Sequence, residues 1–162
     1  MKATLVCLGL FLVTVGCSQD TSAPTQTPEL TEEHGCGIGF YLGNRDQTAG
    51  LFITFNDFEA AQSGDVPESS LEDDVWRAEL QFGSDPFATW CDDVLEPGEP
   101  IPEIDETWTV TGTIEITELP PAGDCGPAAA RLMSLEAQGE DGETLTLGDF
   151  EVANGFWGCF AG

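Results

Sequence analysis

The sequence predicts an all-β domain built as a two-sheet antiparallel sandwich. Three observations carry that prediction. Two segments, 75–82 and 107–117, alternate apolar and polar side chains with the period of two that a half-buried strand requires. Turn-forming residues recur between the apolar runs, as in Gly43-Asn44-Arg45-Asp46 and Gly139-Glu140-Asp141-Gly142-Glu143. No segment shows a long 3.6 period.

In 75–82, Trp76, Ala78, Leu80 and Phe82 fall on one face, with Arg77, Glu79 and Gln81 on the other. In 107–117, Trp108, Val110, Ile114 and Ile116 point one way, and the threonines and Glu115 the other. β-branched residues at this spacing suit a pleated, half-buried surface. Shorter strands are expected at 36–42, 51–58, 87–91, 129–137, 144–147 and 156–160. Glu59-Ala60-Ala61 can begin a helical turn. The stretch 128–135 is ambiguous, since Pro127 would suit a helix start, but strand is preferred because a partner strand follows across a Gly-flanked turn. About eight short strands in one domain suggest an immunoglobulin-like or jelly-roll-like sandwich, with a partly open barrel as the alternative.

The chain has 162 residues, with 30 Asp and Glu against four Lys and Arg, a formal net charge of −26. Such a surface cannot displace counterions from nucleic acid, which needs a Lys/Arg footprint. It also lacks a polybasic grip on anionic lipid. Apolar residues make up 41%, too many for a chain kept disordered by charge. The same surface favours a soluble monomer, and self-repulsion makes salt stabilising.

Met1 and Lys2 precede an apolar stretch at 3–15, too short for a membrane-spanning helix and right for a signal-peptide core. It runs into Thr14-Val15-Gly16-Cys17 and then polar Ser18-Gln19-Asp20. This resembles the lipobox of bacterial lipoproteins, whose signal peptidase II cuts before a diacylglyceryl-modified Cys. Thr14 stands where Leu is usual. The resemblance implies residues 1–16 as signal peptide, Cys17 as the lipid-bearing residue, and attachment to the cell envelope through it. Ser18, in place of Asp, points to the outer rather than the inner membrane in enteric-type bacteria. Cleavage would remove the only lysine and leave 146 residues with three arginines and all 30 acids, a charge of −27. Residues 17–34, rich in Thr, Pro and acids, read as a tether with no core to fold around. The folded domain is expected over 35–162.

Cys7 leaves with the signal and Cys17 is assigned to lipid. Cys36, Cys91, Cys125 and Cys159 remain, an even number that reads as two disulfides in an exported domain. Of three connectivities, Cys36–Cys159 would join the domain ends and Cys91–Cys125 would clip an acidic loop. A zinc site is disfavoured because no pair has C-x₂₋₄-C spacing.

No catalytic constellation is legible. The one histidine, His34, falls in the expected tether, and no lysine survives cleavage. There is no G-x-S-x-G, phosphate loop or dinucleotide fingerprint. Paired carboxylates suffice for glycoside hydrolysis, and Asp57 and Asp149, each beside a Phe, are nominal candidates. Segment 92–106 holds seven carboxylates; Asp92, Asp93, Glu96 and Glu99 are candidate Ca²⁺ ligands, although the spacing matches no known loop and a solvated loop is the simpler expectation. Trp76, Trp90, Trp108 and Trp157 read first as core and second as a sugar-stacking platform. The expected function is therefore a lipid-anchored envelope protein with a non-catalytic binding or structural domain and no resident cofactor. The alternatives are a carboxylate-dependent glycan hydrolase and a Ca²⁺-dependent adhesion module, with a cation or an envelope glycan as ligand.

Overall fold

The computed structural model describes residues 26–35, 37–64, 66, 69–71, 74–91 and 101–159. The two alternating segments form β5 (Trp76–Ser84) and part of β6 (Glu103–Glu118). Around them lie β1 (Leu30–His34), β2 (Gly37–Asn44), β3 (Ala49–Phe55), β4 (Ser69–Ser70), β7 (Gly126–Gln138) and β8 (Thr144–Cys159), with two short helices, α1 (Phe58–Ser63) and α2 (Pro86–Cys91). The fold is all-β and antiparallel, as expected. Its strands form one eight-stranded sheet in the order β1-β2-β3-β5-β6-β7-β8, with β4 on β6. A further pairing of β2 with β8, Gly37 opposite Cys159 and Ile38 opposite Trp157, bends the sheet into a ring. Strand β1 pairs with the other end of β2, from Leu30 opposite Asn44 to His34 opposite Tyr41. It lies beside β8, where the Ala153 N–H donates to Glu33 Oε2 at 3.0 Å.

Opposite walls of the ring share one apolar interior. Leu51, Ile53, Phe55, Leu80, Trp108, Ile114, Leu132 and Leu135 are essentially inaccessible. Aromatic rings bridge the walls: Trp157 lies 5.9 Å from Phe40 and 6.4 Å from Trp76, centre to centre. The sheet bends along a line of irregularities crossing β6, β7 and β8. Relative to both neighbours β7 carries an extra residue at Met133–Ser134, where Ser134 has φ +55°. Its N–H donates to Asp149 Oδ1 at 2.7 Å. Beside it Gly112 adopts φ +138°, and a Cβ there would come 2.6 Å from Leu135 Cδ2. Bulges of this kind raise local twist and curvature.

Three expectations need correction. Residues 30–34, read as the end of a tether, form β1, and Leu30 is buried in the core. Residues 87–91 belong to a helix: Pro86 occupies its first turn, and Asp85 Oδ1 accepts from the Ala88 N–H at 3.2 Å. The strands expected at 144–147 and 156–160 are the two ends of one 16-residue strand. The ambiguous 128–135 stretch is strand, as preferred.

Candidate functional site

The ring has two rims, and one of them receives the chain from the N-terminus. Leu30 opens β1 on this rim, opposite Asn44 at the end of β2. The β2–β3 turn follows, then the end of β5, then the start of β6 (Ser84 opposite Glu103), then the β7–β8 turn. Thr27 Oγ1 reaches the Thr146 carbonyl at 3.5 Å, placing the incoming chain against β8.

Each turn is fixed by local bonds. Asn44 Oδ1 accepts from the Thr48 and Ala49 N–H groups at 2.8 and 2.9 Å, and its Nδ2 donates to Thr48 Oγ1 at 2.9 Å. This is an Asx-type closure of the turn, and it holds Arg45 at the tip. Gln47 and Thr48 accept from the Asp85 and Gly83 N–H groups, tying that turn to β5. In the β7–β8 turn, Asp141 Oδ1 accepts from the Glu143 N–H at 3.0 Å, and the Gly139 N–H donates to the Glu143 carbonyl.

The rim is predominantly acidic. Glu29, Asp46, Asp85, Glu103, Asp105, Glu106, Glu140, Asp141 and Glu143 lie on it with a single arginine. Of the three arginines, Arg77 donates from Nε and Nη2 to Glu79 Oε1 at 2.9 and 2.6 Å, and Arg131 lies 3.4 Å from Glu115 and 3.5 Å from Glu151 on flanking strands. Arg45 makes no ion pair among the described residues. Ile101, just before β6, is 77% exposed and is the only exposed large hydrophobic side chain among the described residues.

No family model matches the chain, and no curated protein or solved structure matches it.

Next to this rim, α2 covers an aromatic layer on the outside of the ring. Tyr41 and Phe52 face outward from β2 and β3, 4.8 Å apart, and Phe87 closes over Tyr41 at 4.7 Å. His34 stacks on Phe87 at 4.7 Å, and Trp90 meets Phe52 edge-on at 5.2 Å. Burial pushes the Tyr41 hydroxyl up to about 12, and the Asp85 carboxylate adds to that rise. Gly50 makes room for the ring: a Cβ there would come 2.5 Å from Tyr41 Cε2.

The sequence-derived candidates fall as follows. Asp57 Oδ1 accepts from the Ala60 N–H and caps α1; Asp149 serves the β7 bulge. Both carboxylates therefore hold backbone, and the structure does not bring them to one site. His34 is packed as an aromatic neighbour. Trp76, Trp108 and Trp157 are buried, and Trp90 is half-buried against Phe52, so the described tryptophans form no open platform. Asp92, Asp93, Glu96 and Glu99 lie outside the described residues, as do Cys17 and Cys36 and the side chains of Cys91 and Cys159. The backbone register sets Cys159 opposite Gly37 and brings Cys125 against Gly158. Among the described residues no three His, Cys, Asp or Glu side chains are placed to hold a metal ion.

Proposed function

We propose that the protein is a lipid-anchored bacterial envelope protein, acylated at Cys17, whose β-ring is a non-catalytic binding or structural domain. The observation that carries this reading is the order of signals at the N-terminus: Lys2, the apolar stretch at 3–15, Gly16, Cys17, then polar residues. Two features of the folded part support it. Cys36, Cys91, Cys125 and Cys159, the four cysteines left after Cys7 and Cys17, are an even number that suits disulfide pairing in an oxidising compartment outside the cytoplasm. The two carboxylates nominated for acid–base work are engaged with backbone N–H groups.

Stable attachment needs more than one acyl chain, since one holds only marginally, and bacterial lipoproteins carry two or three. The test is metabolic labelling with a palmitate analogue in a bacterial host. The unaltered chain is expected to take up label and sediment with membranes. Cys17→Ser is expected to lose both, and label retained on that variant would overturn the assignment.

A further inference from the structure

We propose that the rim receiving the N-terminal chain is a lipid-docking surface, with Arg45 and Ile101 as its two contact points. Placement of the rim rests on the acylation of Cys17; the chemistry of its contacts does not. Cys17 and Leu30 are 13 positions apart, a span of about 45 Å at full extension. Leu30 enters the sheet on this rim, so this is the end of the ring held nearest the anchor. The other rim, with α1 and the 119–125 turn, is a strand length further away.

Among the described residues, one unpaired arginine and one exposed aliphatic side chain stand on the near rim, and both suit a headgroup layer. Arg45 is the arginine with no ion pair among the described residues, and it stands at the tip of a turn braced by Asn44. A guanidinium binds phosphate in two-point fashion. Ile101 is 77% exposed, and an aliphatic side chain gains by leaving water at the acyl boundary. The carboxylates around them set which surface is accepted. They repel anionic headgroups over a screening length of about 8 Å at physiological salt. The surface that fits is therefore zwitterionic, offering phosphate without net negative charge.

Hydrogen exchange on the full acylated chain in phosphatidylcholine vesicles tests this, with Cys17→Ser in solution as reference. Several-fold slower exchange is expected at 44–48 and 101–106, with no change at 58–64 and 119–125. Arg45→Glu and Ile101→Ser should each lose that protection while the protein still sediments with the vesicles and melts as before. Adding phosphatidylglycerol at low salt should weaken the protection, and raising salt should restore it. Equal protection of both rims, protection of neither in sedimented protein, or stronger docking on anionic vesicles would overturn the inference and leave the anchor intact. If Cys17→Ser still sediments and Arg45→Glu releases it, the rim docks and the acylation reading fails.

Discussion

Tyr41 is the only tyrosine in the chain, so its ionisation can be followed without interference. Its hydroxyl is raised from 10.0 to about 12 by burial and by Asp85. The folded state thus favours the neutral phenol. That contribution to stability is whole below about pH 10 and is lost as the pH rises through about 12. Phenolate absorbance is expected to appear with a midpoint near 12; a midpoint near 10 would mean that α2 does not cover the ring. Gly112 makes a second residue-scale prediction. Gly112→Ala would place a methyl 2.6 Å from Leu135 in a backbone region that side chains rarely adopt. It should lower unfolding free energy by about 2 kcal/mol or more, read from the urea midpoint. The roles of Asp57 and Asp149 were only partly open to sequence reasoning. Asp57 stands just before a helical turn, where a cap is expected. Asp149 serves Ser134, 15 positions away, and no local pattern announces that bond.

Strand β7 shows why element type was hard to read between 128 and 135. Ala128, Leu132 and Leu135 face the interior at steps of four and three, which is helical spacing. Alternation runs from Ala128 through Ala130 to Leu132, skips one position at the bulge, and resumes at Leu135 and Ala137. A strand with one extra residue thus imitates a helix. The reverse holds at 87–91, expected as a short strand, where Asp85-Pro86 carried the unread helix start. Leu30 is the lone aliphatic in a polar stretch, yet one side chain on a paired strand suffices to join the core. By contrast 75–82 and 107–117 were legible because their alternation is unbroken. At this scale Asp149→Ala should destabilise by about 1 kcal/mol, the net worth of the exposed bond that holds the Ser134 N–H at the bulge, measured by chemical unfolding. Phe87→Ala should uncover Tyr41 and bring its titration down toward 10.

Over the whole molecule the charge balance sets up self-repulsion. Thirty acids against four basic residues leave few attractive pairs, and the two paired arginines are spread over separate parts of the sheet. Raising NaCl from about 0.05 M to about 1 M shortens the screening length from over 10 Å to about 3 Å. The melting temperature should climb by several degrees; a fall would mean that attractive pairs outweigh repulsion. The closure of the sheet also has an optical consequence. Trp76 and Trp157 come from opposite sides of the ring and lie 6.4 Å apart at 55°. Two indoles so placed share their excitation, and a fixed chiral arrangement gives a paired positive and negative band in circular dichroism. That couplet belongs to neither strand alone. It reports whether β5 and β8 still face each other, and it should vanish in Trp157→Phe while the backbone signal stays.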